Sequence, residues 1–166
     1  MQLRGATPNI RVEWHEDRRV KTKASIRHVP IAGDALEAVK EARQAAGNDL
    51  MLFSDYGGWN GPGNASNALR PHVREVTENP RHVVHSLRHN MADWLVEAGV
   101  PEFERKLILG HALKDVGDRV YGGAPAQLRA TTKAMHRALE VKAKEREGGC
   151  FGASSGPLRG LKSNLS

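Results

Sequence analysis

The run His85-Ser86-Leu87-Arg88-His89 sets an imidazole and a guanidinium three residues apart. On a helix that spacing places both groups on one face. A fixed cation beside an imidazole suits an anionic, oxygen-rich target such as a phosphate. Taken alone, the pair reads first as a surface or structural contact, because a chain with 8 histidines throws up one H-x-x-R run by chance. His111 follows Leu109-Gly110, where glycine lets the chain turn sharply after a helix. A histidine at that place also suits the negative end of a helix dipole. Tyr121 stands ten residues beyond, in Val120-Tyr121-Gly122-Gly123. A phenol with a pKa of about 10 becomes a nucleophile only when a base or local positive charge helps remove its proton. The commoner use of a tyrosine is ring packing against a helix. His82, His85 and His89 share one stretch, but no carboxylate sits among them in the H-E-x-x-H manner. A metal is therefore not expected.

The elements that must position these groups are legible as patterns. Ile10, Val12 and Trp14 alternate with Arg11 and Glu13, which is the period of a strand. Residues 26–31 form a second short β-type run closed by Pro30, and the polar stretch 21–25 connects the two. The expectation is a two-strand antiparallel ribbon with a basic turn. Asp34 reads as an N-cap with Glu37 as its capping-box partner, opening a helix to about Ala46 that Gly47-Asn48 stops. Residues 55–63 read as a loop, and Asn64 or Ser66 as the start of a helix ending before Pro80. From His82 to Gly99 the residues Leu87, Met91, Trp94, Leu95 and Ala98 make a buried helical stripe. Pro101 opens a further helix that ends at Gly110, and a last helix is expected from about Ala126 to Glu147. The fold class is α+β: a mostly helical body with a small antiparallel β-ribbon near the N-terminus. One domain is expected over residues 1–147, with 148–166 a disordered Gly/Ser-rich tail.

Taken in order, H-x-L-R-H opening a helix, L-G-H ending the next, and a tyrosine ten residues on resemble the catalytic domain of the tyrosine recombinase (phage integrase) family. The segment 21–31, Lys-Thr-Lys-Ala-Ser-Ile-Arg-His-Val-Pro-Ile, is similar to the family's hairpin, K-T-x-x-S-x-R-x-V-P followed by an apolar residue. The likeness spans about residues 10 to 121. It implies site-specific DNA recombination through a 3′-phosphotyrosine intermediate, with Tyr121 as nucleophile and, because the phosphodiester energy is stored covalently, with no cofactor. Arg88 would bind the scissile phosphate, with His85 beside it and His111 at the family's His-or-Trp site. Lys21 would protonate the leaving 5′ oxygen, with Lys23 its substitute if the hairpin register slips. The implied partners are double-stranded DNA and further copies of the chain, as a tetramer on DNA. Docking of the last helix into a neighbour through Leu128, Met135, Ala138, Leu139 and Val141 is one use of that helix; packing on its own core is the other.

The family's further arginine, in an A/G-x-R-x-x-E helix before the hairpin, has no match here, because Gly5 and Pro8 break any helix around Arg4. The family's N-terminal DNA-clamping domain has no counterpart either. The expectation is an N-terminally incomplete catalytic domain that cleaves DNA poorly by itself. A non-catalytic DNA-binding or interaction remnant is the alternative. A type IB topoisomerase or telomere resolvase would share the chemistry, but the hairpin and L-G-H text look more like integrases.

The bulk properties agree with a polyanionic partner without requiring one. The net charge is +6 and the excess sits at the ends, with seven Lys/Arg against three acids in both 1–30 and 133–166. Such ends can build a phosphate-binding face or can be solvated segments. The single cysteine, Cys150, excludes a disulfide framework, and no apolar run approaches membrane-spanning length. A soluble, cytoplasmic protein is expected.

Overall fold

The computed structural model describes residues 1–15, 25–113 and 123–148. Lys21, Lys23 and Tyr121 lie outside the described residues, as does the tail from 149 onward. The described chain is mostly helical, with one two-stranded antiparallel sheet.

Strands β1 (Asn9–Val12) and β2 (Arg27–Pro30) pair with Asn9 opposite Pro30 and Val12 opposite Arg27. The ribbon is thus present, though β1 stops at Val12 and Trp14 is exposed beyond it. Asn9 is buried and its side chain is satisfied at both ends. Its amide donates to the Thr7 carbonyl at 2.9 Å, and its oxygen meets His28 Nδ1 at 2.9 Å. An unpaired amide there would be costly.

Helix α1 (Asp34–Ala46) has the expected limits but not the expected cap. Gly33, at φ 58°, takes the N-cap place, which leaves Asp34 already helical and without a side-chain cap bond. Asp34 and Glu37 therefore act only as first-turn charges toward the helix dipole. Glu37 instead accepts from Lys40 at 2.9 Å.

Residues 54–56 form a short 3-10 turn, and α2 (Gly61–Val76) starts earlier than Asn64 or Ser66. Its proline-bearing first turn explains the difference: a stretch that reads as loop by composition also suits a helix start. Helix α3 (Ser86–Glu97) starts later than His82. Arg74 holds the preceding segment in a non-helical path, donating to the carbonyls of Asn79 at 2.6 Å and His82 at 2.7 Å, and more weakly to those of Thr77 and Pro80. Helix α4 (Glu102–Leu109) and helix α5 (Ala124–Gly148) complete the body.

The core lies where α3, α4 and α5 meet the end of β2. Leu95 of α3 and Ala98 at its C-cap, Ile108 and Leu109 of α4, and Ala134, Met135 and Ala138 of α5 form it with Ala32 and Val100. Thr131 and Thr132 are buried within α5, and their hydroxyls return to the Gln127 and Leu128 carbonyls at 2.7–3.1 Å. That back-bonding removes the penalty of burying them. The apolar side of α5 is therefore occupied by its own domain: Met135 and Ala138 are buried, and Leu139 and Val141 pack against the core.

The stripe on α3 is only partly buried. Leu95 and Ala98 are enclosed, whereas Leu87 is 61% exposed. Leu87 borders an open apolar groove of about 490 Å³ between α2 and α3, shared with Leu69, Val73, Val76, Val83 and Val84. Neither Arg88 nor His111 lines it. Among the described residues, no helix is long and apolar enough to cross a membrane.

Candidate functional site

The C-terminal end of α4 is the meeting point of three separate segments. Gly110 turns the chain out of the helix with φ 70° and ψ 35°, a left-handed conformation that favours glycine. Its N–H and that of His111 both turn back to the Lys106 carbonyl, the latter at 2.9 Å. Two other terminal carbonyls, of Ile108 and Leu109, are then satisfied from elsewhere. Arg88, in the first turn of α3, donates through Nη2 to the Leu109 carbonyl. Arg27, at the start of β2, donates through Nε to the Ile108 carbonyl at 3.3 Å and through Nη1 to the Ser25 carbonyl at 2.9 Å.

Arg27 also lies close against Gly110: a Cβ at that position would fall 2.6 Å from two of its guanidinium atoms. Burial, and then the positive charge of Arg88, pushes the Arg27 pKa below its ordinary value. Among the described residues, no carboxylate forms an ion pair with either arginine. Among the described residues, what offsets the two positive charges by direct contact is the carbonyl end of α4.

Arg88 and the Leu109-Gly110-His111 turn are thus in direct contact, although 21 residues separate the bonded pair. His85 stands at the N-cap of α3 and its carbonyl accepts from the Arg88 N–H at 3.0 Å. Its exposed ring meets His89 edge-on at 5.1 Å. His111, just after the glycine turn, is exposed. His82 is held away from this place by Thr77, whose Oγ1 lies 2.9 Å from its Nδ1. Among the described residues, no three His, Cys, Asp or Glu side chains cluster as a metal site.

Sequence reasoning assigned no role to Arg27. It stood in the hairpin segment, but its contact with Ile108 crosses 81 residues and no local pattern announces it. Arg74 was missed in the same way: a helix arginine gives no sign in the sequence that it binds four carbonyls of the following loop. Comparison with protein-family models, with curated proteins and with solved structures found no match for this chain.

Proposed function

We propose that the chain carries tyrosine-recombinase chemistry: cleavage and rejoining of DNA through a 3′-phosphotyrosine bond. In this reading the Tyr121 phenolate attacks phosphorus, the P–O5′ bond breaks, and Lys21 gives its proton to the leaving oxygen. Arg88 holds the non-bridging oxygens as charge builds on them, with His85 and His111 as further donors. The phosphodiester energy is kept in the new P–O bond, so the rejoining step needs no nucleotide cofactor. DNA and further copies of the chain are the partners, in the cytoplasm near the nucleoid.

The observation that supports this reading is the bond from Arg88, of H-x-L-R-H, to the carbonyl of Leu109, of L-G-H. Two motifs that resemble the family's active-site text in separate places are in contact. The A/G-x-R-x-x-E segment has no match in the sequence, and loss of one phosphate donor raises the barrier by about 3 kcal/mol. Cleavage by this chain is accordingly slow.

The positive place at the end of α4 equally suits binding without chemistry, which is the second reading: a non-catalytic DNA-binding remnant. The two are separated with a labelled pool of nicked duplexes of randomised sequence, which trap any covalent product. The first reading predicts a slowly forming adduct on a denaturing gel that is absent from Tyr121→Phe. DNA retention that is equal in both proteins, with no adduct in either, selects the second.

A further inference from the structure

The geometry points to Arg27 as a second anion ligand beside Arg88: the two guanidiniums, bonded to the successive carbonyls of Ile108 and Leu109, form one oxyanion site at the C-terminal end of α4 with the charge to take a phosphate. Each arginine spends only part of its donor set on protein. Arg27 uses Nε and Nη1, and Arg88 uses Nη2, so both keep further N–H groups at the same helix end, where they bond successive carbonyls. An arginine carries five such donors in a planar fork that matches a phosphate.

Capping alone does not account for the pair. Satisfying two helix carbonyls needs two N–H groups, which neutral side chains can supply. Here two full positive charges are drawn together instead, with no carboxylate pairing with either among the described residues. The helix end offers only about half a negative charge against them. Burial, and after it the charge of Arg88, lowers the Arg27 pKa. A bound dianion offsets the repulsion between the two guanidiniums. Gly110 belongs to the same device, since a side chain there would displace the Arg27 guanidinium.

That the anion is a DNA phosphate rests on the recombinase reading; the pairing of the guanidiniums does not. In that reading Arg27 supplies a second arginine to a site where the family's A/G-x-R-x-x-E arginine has no match. The test uses the full chain and inorganic phosphate, titrated against chloride at constant ionic strength and followed by calorimetry. Arg27→Gln and Arg88→Gln should each weaken phosphate binding at least fivefold, while Arg70→Gln, at an exposed arginine on α2, leaves it unchanged. In the unaltered protein, the guanidinium Nε–H resonances of Arg27 and Arg88 should move together with one midpoint, a readout that no folding defect can disturb. The proposal is overturned if Arg27→Gln binds phosphate as the parent does, if only the Arg88 resonance moves, or if the parent binds no phosphate. Phosphate binding by both arginines with no Tyr121 adduct on nicked DNA would leave this inference standing and remove the recombinase reading.

Discussion

Replacing Gly110 with alanine should reveal how tightly the α4 turn and Arg27 depend on each other. Two effects add at this position. The backbone sits at φ 70°, where a Cβ costs about 1–2 kcal/mol. The new methyl would also lie 2.6 Å from the Arg27 guanidinium, which must move and give up the Ile108 carbonyl. A hydrogen bond from a charged donor contributes about 1.5–3 kcal/mol, and partial exposure reduces that here to about 1–2 kcal/mol. Gly110→Ala should therefore destabilise the protein by about 2–4 kcal/mol in urea unfolding. In an Arg27→Gln background the clash is relieved and only the backbone part, about 1–2 kcal/mol, should remain. The coupling of about 1–2 kcal/mol exceeds the ~0.5 kcal/mol scatter of independent sites. Equal costs in both backgrounds would refute the contact and the account of why glycine stands at 110.

Other outcomes follow from burial and hydrogen bonding. Leu95 is fully enclosed, so Leu95→Ala should cost about 2–5 kcal/mol by denaturant unfolding. Leu87 is 61% exposed, and Leu87→Ala should cost less than about 1 kcal/mol; a reversal of that order would mean α3 is rotated from its described position. Arg74→Ala should release the segment between α2 and α3, lowering stability by about 1–3 kcal/mol and shifting the backbone amide resonances from Thr77 to His82. Unmoved resonances there would show that Arg74 does not hold that loop. Thr131→Val keeps the shape but removes a hydroxyl already bonded within α5, so its effect should stay within about 1 kcal/mol; a larger loss would point to a further partner for that hydroxyl.

The parts of the fold that follow from local periodicity were legible. Alternation at Ile10 and Val12 marked the ribbon, and Pro101 and Gly110 bracketed α4 to within a residue. What escaped were relations between elements. Glycine at 33 takes the cap that Asp34 was expected to fill, because a positive φ is a property of the turn and not of the acid after it. A helical stripe says which residues share a face but not what covers them, so Leu87 was expected inside while α2 leaves it open. The site shows the same division. The family resemblance grouped His85, Arg88, His111 and Tyr121 about one phosphate; of these, Arg88 bonds the Leu109 carbonyl two residues before His111, and Tyr121 lies outside the described residues. Arg27 came into the site through tertiary packing alone.

The reading of Tyr121 as a nucleophile is tested most directly by mass spectrometry. After the protein has been incubated with nicked duplex and the DNA digested, trypsin releases the peptide 120–129, which holds Tyr121 between cleavages after Arg119 and Arg129. The account predicts a fraction of that peptide carrying a nucleotide phosphate on the tyrosine oxygen. Finding the peptide only in its unmodified mass, or the nucleotide on another residue, would contradict it.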